Sequence, residues 1–214
     1  MWVPGVSGSP IPPIQSREDN EQIIMNKFDY EINYLKTILP ELENYLLSTD
    51  LYRVIFIPSP RGNPAYPSLS LGTVLFSLKK AHGYGVSEMQ NANLLRIENE
   101  INIIQNHWRQ AWENKALREI PNRANLWQAY LSDLIANYAE QKDRYDYEVR
   151  HRTIIELLHH QISKPESIRM ANLNLLDQIL QPSFSAGKFI WDSELAEEFP
   201  AQPFWFLWGK PLKI

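Results

Sequence analysis

Residues 87–111 read SEMQNANLLRIENEINIIQNHWRQA, and this stretch decides the fold class. Ser87, followed three residues on by Gln90, is a capping-box start for a helix. Behind it Leu94, Ile97, Ile101, Ile104, Trp108 and Ala111 recur in steps of three and four, which draws one apolar seam along the helix. The opposite face is Asn-, Gln- and Glu-rich, hence wet. A seam this narrow suits helical hairpins and bundles.

Downstream, Pro121 is expected to separate this helix from a second one over 123–162. Trp127, Leu131, Leu134, Tyr138, Tyr145, Val149, Ile155 and Ile162 keep the rhythm there. Unbroken, those roughly 40 residues would span about 60 Å at 1.5 Å per residue. One compact domain of this length is only about 45 Å across, so such a helix must protrude or bend. Its seam is weakest over 141–152, where Lys142, Asp143, Arg144, Asp146, Glu148 and Arg150 alternate in charge. Ser163, Pro165 and Glu166 mark the start of a last helix that runs to about Leu180, with Ile168, Leu175, Leu176 and Ile179 on its buried side.

Upstream, a helix is expected from near Ser16, carrying Ile24, Phe28, Ile32, Leu35, Leu39, Leu42 and Leu46, with a kink or break at Pro40. Residues 52–57 (YRVIFI) are β-branched and aromatic and form the best strand candidate. Four prolines then make 58–67 a loop, and a shorter helix follows over 68–81, interrupted by Gly72 and stopped by Gly83 and Gly85. The fold expected is mainly α, an antiparallel helical bundle with one long protruding or kinked helix and at most a minor β element near 52–57. An extended Pro-rich N-terminal arm occupies 1–15, the helical domain 16–181, and an irregular aromatic C-terminal segment 182–214.

The chain has 214 residues, 44% of them hydrophobic and 21% charged, enough to bury a core in one domain with arms. A net charge of -4 gives no global attraction to nucleic acid or anionic lipid. The absence of cysteine removes disulfides, thiolate nucleophiles, iron–sulfur clusters and cysteine zinc sites. The start has no secretory pattern and no apolar run reaches membrane-spanning length, so a cytoplasmic protein without membrane contact is expected.

Three constellations bear on chemistry. Glu148 with His151, and Glu156 with His159, repeat a Glu-x-x-His spacing of the kind that di-metal carboxylate bundles place on two helices. Here both fall on one predicted helix, about 12 Å apart at 1.5 Å per residue, so one small site cannot use both. Arg53, Arg61, Lys79, Lys80 and His82, with Arg144, Arg150 and Arg152, are candidates for an anion or nucleic acid, Tyr52 and Tyr66 offering stacking faces. The same Lys79–Lys80 pair is also what a helix C-terminus favours by its dipole alone. No dinucleotide, phosphate-loop, metalloprotease or nucleophile-elbow motif is present, and no cofactor is expected.

The tail is the strongest non-random feature. Phe184, Phe189, Trp191, Phe199, Phe204, Trp205, Phe206 and Trp208 lie within 25 residues. Each can bury about 150–250 Å², so they must cover the chain's own helices, pair with 52–57, or insert into another subunit. Trp108, Trp112 and Trp127 read as core, whereas Trp2, Phe199, Phe204, Trp205, Phe206 and Trp208 are the candidate partner anchors. The function expected is a non-catalytic helical subunit or adaptor that binds other proteins or itself. The alternatives are a nucleic-acid-binding subunit and a metal-dependent helical-bundle enzyme.

Overall fold

A computed structural model describes residues 26–85, 87–163 and 167–213. The expected arm over 1–15, Trp2, the proposed helix start at Ser16 and Ile24 all lie outside those residues, as do Pro165 and Glu166. The described chain is mainly helical with one small antiparallel pair of strands. Among the described residues no helix is long and apolar enough to cross a membrane.

Helix α1 (Lys27–Ile38) opens on Asn26, whose side-chain oxygen accepts from the Asp29 amide at 2.8 Å. It ends at Pro40, which sits in a 3₁₀ turn over Leu39–Glu41 before α2 (Leu42–Leu47), so the break falls where proline removes a donor. Residues 52–57 do not form a strand. Only Arg53 pairs, in an isolated bridge to Leu69 with N···O distances of 2.9 and 2.8 Å. Strand propensity is a preference for packing on a neighbour, and among the described residues no second strand lies beside this run.

Helix α3 (Leu71–Tyr84) begins at a Ser70–Thr73 capping box, three residues later than expected, and runs through Gly83 to stop at Gly85. Gly72 lies where α3 crosses two later helices. A Cβ there would collide with Ile154 and come 2.6 Å from a Glu119 carboxylate oxygen, so the glycine serves close approach. Gly83 is likewise a packing position, since a Cβ would stand 2.7 Å from Leu195. Helix α4 (Glu88–His107) starts on the expected box, Ser87 Oγ accepting from the Gln90 amide at 3.2 Å.

The next two expected boundaries are corrected. Helix α5 (Arg109–Ala136) runs straight through Pro121, and the division from α4 falls at Trp108, outside helical geometry at φ -109°, ψ 34°. An interior proline costs about 3 kcal/mol. Ile120 and Trp127, both buried, flank it, and burying two such side chains offsets that cost at about 1.5–3 kcal/mol each. The long helix over 123–162 is not continuous. It breaks at Asn137 into α6 (Tyr138–Gln141), a 3₁₀ turn at Lys142–Arg144, α7 (Tyr145–Glu148) and, past Val149, α8 (Arg150–His159). The breaks fall in the charge-alternating region, where no apolar seam holds a helix straight, and they let the chain fold back beside α5.

Helix α9 (Ser167–Leu180) leads by a 3₁₀ turn into β1 (Phe184–Phe189), which pairs antiparallel with β2 (Trp208–Pro211). The register is Phe184 to Pro211, Ser185 to Lys210, Ala186 to Gly209 and Phe189 to Trp208, with an irregularity between Ala186 and Phe189. The tail therefore pairs with itself and not with 52–57. Two core clusters result. One gathers α1 to α4, the first half of α5 and α8 around Tyr34, Leu42, Trp112 and Ile155. The other gathers the second half of α5, α7, α9 and the tail around Trp127, Tyr145, Phe199 and Phe206. Helix α5 spans both, and Phe76, Tyr84 and Ala124 pack against both.

Candidate functional site

Of the expected partner anchors, Phe199, Phe204 and Phe206 are 0, 4 and 0% exposed and belong to the second core. Trp205 and Trp208 are half-buried on the same chain. Trp208 Nε1 donates to the Phe199 carbonyl at 2.9 Å, and Trp205 meets Phe184 edge-on at 5.1 Å between centroids. Tyr145 donates to the Phe206 carbonyl at 2.6 Å, and the Arg152 guanidinium lies 4.6 Å from the Phe206 ring. These aromatics leave little surface for a partner because α7 and α9 already cover them.

The basic candidates do not merge into one patch. Arg53 is held by Asp50 and Glu41, Lys79 by Glu198 at 3.1 Å, Lys80 by Glu31, and His82 by Glu98 at 3.3 Å. Arg144 binds Glu148, and Arg152 binds Asp177 and Glu156, each at 2.9 Å. Lys79 and Lys80 sit inside α3, one reaching the tail and the other α1. Among the described residues only Arg61 and Arg150 of this set have no carboxylate partner.

The Glu148–His151 pair straddles the α7–α8 junction, Glu148 ending α7, while His151, Glu156 and His159 all lie on α8. Glu148 accepts from Arg144 and Glu156 from Arg152, and His151 Nε2 stands 3.7 Å from Glu148. His151 is buried, and Arg123 lies 3.2 Å from its Nδ1. A guanidinium only donates, so Nδ1 accepts and the ring proton sits on Nε2. Burial first, then Arg123 and Arg150, drives the His151 pKa down to about 3, so the ring is neutral near pH 7. Burial also lowers His159, with Arg152 and His160 adding and Glu156 opposing. Among the described residues no three His, Asp or Glu side chains gather in a way that would hold a metal ion.

Three arrangements escaped the sequence reading. The first is a buried polar knot at the crossing of α3, α5 and α8. Glu119, 0% exposed, accepts from Ser70 Oγ at 2.7 Å, from the Gly72 amide at 2.9 Å, and from Arg123 at 3.0 and 2.9 Å. Arg123 then reaches His151 and stands 5.2 Å from the Tyr52 ring. The i,i+4 spacing of Glu119 and Arg123 was its only signal in the chain. Nearby, Lys115 Nζ donates to the Ser48 carbonyl at 3.1 Å and to the Asp50 carbonyl, over the Tyr45 ring at 4.1 Å.

The second is the run 54–57. Ile55 turns toward the first core between Val54 and Phe56, which are 62 and 92% exposed, an alternation that ends at Ile57, itself 58% exposed. Its backbone makes no hydrogen bond to backbone of the described residues.

The third is a cleft of about 470 Å³ between the loop 64–68, α3 and the α7–α8 break, with Tyr52 and Arg123 in its lining. Tyr30 ties that loop to α1 through the Ala65 carbonyl at 3.2 Å, and Thr73 Oγ1 ties it to α3 through the Ser68 carbonyl at 3.0 Å. Its lining combines the rings of Tyr30, Tyr52 and Phe76 with the charged groups of Glu31, Lys80, Arg123 and Arg150. No protein-family model matches this chain, and no curated protein and no solved structure is found to be similar to it.

Proposed function

We propose that the chain is a non-catalytic helical subunit that docks to another protein through the extended run 54–57. The observation that carries this reading is Phe56, an apolar ring 92% exposed, beside Val54 and Ile57 on a segment whose backbone is unpaired among the described residues. An unpaired extended edge with alternating apolar side chains is what a strand from another chain adds to. A buried aromatic contributes about 150–250 Å² of contact, so Phe56 supplies the anchor and the backbone supplies the register. The Arg53–Leu69 bridge anchors one end of the run and Pro58 restricts the backbone of Ile57 at the other, which lowers the ordering cost of binding. On this reading the docking element lies upstream of α3 and not in the aromatic tail. Against the nucleic-acid alternative stands the pairing of most basic candidates with carboxylates. Against the metal enzyme stands the capture of Glu148 and Glu156 by arginines.

The test compares the wild-type chain with a Val54→Ser/Phe56→Ser variant, isolated from native cells and sized by light scattering. The expected outcome is a stoichiometric protein complex for the wild type and its loss in the variant, with melting midpoint and helix content unchanged. A wild-type chain that is isolated alone and is monomeric overturns the reading, as does a variant that keeps the complex.

A further inference from the structure

We propose that the cleft at the α7–α8 break binds a small molecule carrying a phosphate or carboxylate on an aromatic ring, with Arg150 as its anion-recognising group. The cleft consists of an inner hollow of about 470 Å³ and an adjoining outer one of about 420 Å³, and Phe76, Lys80, Tyr147 and Arg150 line both. Small-ligand sites run from about 300 to 1,000 Å³, so either hollow takes a mononucleotide-sized guest.

The charge is local. Glu31 neutralises Lys80 and Glu119 neutralises Arg123, while Arg150 has no carboxylate among the described residues, in a chain of net charge -4. The Arg150 guanidinium lies 3.5 Å from the centre of the Tyr147 ring, and Tyr147 is 57% exposed. Arg150 Nη2 also donates to the Tyr147 hydroxyl, which fixes the guanidinium and leaves Nη1 and the second Nη2 proton for an oxyanion.

A second observation is independent of charge. Asp146 and Arg150 are four residues apart, a spacing that joins such a pair on an unbroken helix. Here no ion pair joins the two: Asp146 Oδ2 accepts from Lys210 at 3.3 Å, and Arg150 donates to the Tyr147 hydroxyl. Arg150 Nε and Asp146 Oδ1 are both buried with no hydrogen-bond partner, and both residues line the outer hollow. An arginine and an aspartate in the wall of one hollow, each with an unsatisfied polar atom, suit a guest that offers both an oxyanion and an N–H or O–H. The aromatic walls, Phe76 and Tyr147 with Tyr30 and Tyr52, provide the faces on which its ring stacks. A nucleoside monophosphate combines all three features.

The experiment is isothermal titration of the full chain at low salt with AMP, GMP, CMP and UMP, and with inorganic phosphate and glycerol 3-phosphate as ringless probes. At least one nucleotide is expected to bind saturably at one site, more tightly than either ringless probe. Arg150→Gln is expected to weaken it by at least about tenfold, the loss of a charge-assisted hydrogen bond. Tyr147→Ala, a change at an exposed position, is expected to weaken it severalfold and serves where the arginine variant does not fold. Phe56→Ser is expected to leave it unchanged, which separates this site from the docking run. The inference is overturned by absence of saturable nucleotide binding, by equal affinity for the ringless probes, or by folded Arg150→Gln and Tyr147→Ala proteins that bind as the wild type does. Binding confined to a single-stranded oligonucleotide overturns it too.

Discussion

Replacing Glu119 by Ala tests the polar knot that joins α3, α5 and α8. The change deletes the acceptor for four contacts, two from Arg123 at 3.0 and 2.9 Å, one from Ser70 Oγ at 2.7 Å and one from the Gly72 amide at 2.9 Å. These contacts are not summed, because each was also solvated in the unfolded chain. What remains is a guanidinium only 6% exposed with no counter-charge. Breaking one side of a buried ion pair costs about 3–5 kcal/mol, whereas replacing both partners by apolar groups is often neutral. Urea unfolding followed by circular dichroism has a slope of about 2–3 kcal/mol per M, so the midpoint is expected to fall by about 1–2 M. The Glu119→Leu/Arg123→Leu double variant is expected to recover most of that loss. A drop below about 0.4 M for Glu119→Ala, or a double variant no more stable than the single one, refutes the argument that the uncompensated guanidinium dominates.

The His151 ring predicts a pH dependence. Its folded pKa of about 3 lies below the ordinary 6.5, so the unfolded chain takes up a proton first as the pH falls. Its stabilising contribution is therefore whole above pH 6.5 and is lost progressively toward pH 3, with half-buried His159 adding in the same direction. His151→Gln, whose amide oxygen still accepts from Arg123, should flatten the fall in melting midpoint between pH 7 and pH 4, and an unchanged slope would count against a buried neutral ring. In the second core, Phe206→Ala removes a ring that is 0% exposed and is expected to cost about 3–5 kcal/mol in the same urea assay. Removing residues 200–214 should lower stability further, since it also deletes β2, and a truncated chain as stable as the intact one would mean the tail is not core.

Helix existence was legible wherever one apolar seam met a capping signal. The Ser87–Gln90 box and the Leu94, Ile97 and Ile101 positions appear as expected, because both depend only on neighbours three and four residues away. Pro121 misled for the opposite reason. A proline's cost is local, but the packing of Ile120 and Trp127 that offsets it is not. Trp108, chosen as a seam residue, became the boundary. The 52–57 run misled in the same way, because its residues favour a strand only where a partner edge exists. Nothing in its composition shows that the tail strands choose each other.

The chain by itself determined the helical class, the cap at Ser87, the break at Pro40 and the burial demand of the tail aromatics, all consequences of side-chain type at short spacing. Only the tertiary structure decided what those side chains face. It turned the tail inward and left Phe56 in water. It brought Ser70, Gly72, Glu119, Arg123 and His151 together from three helices. It also gave Asp146 to Lys210 and Arg150 to the Tyr147 hydroxyl, with no ion pair between the two. The physical reason is common to all three. Burial, pairing and desolvation depend on groups dozens of residues away, and no local period in a sequence encodes them.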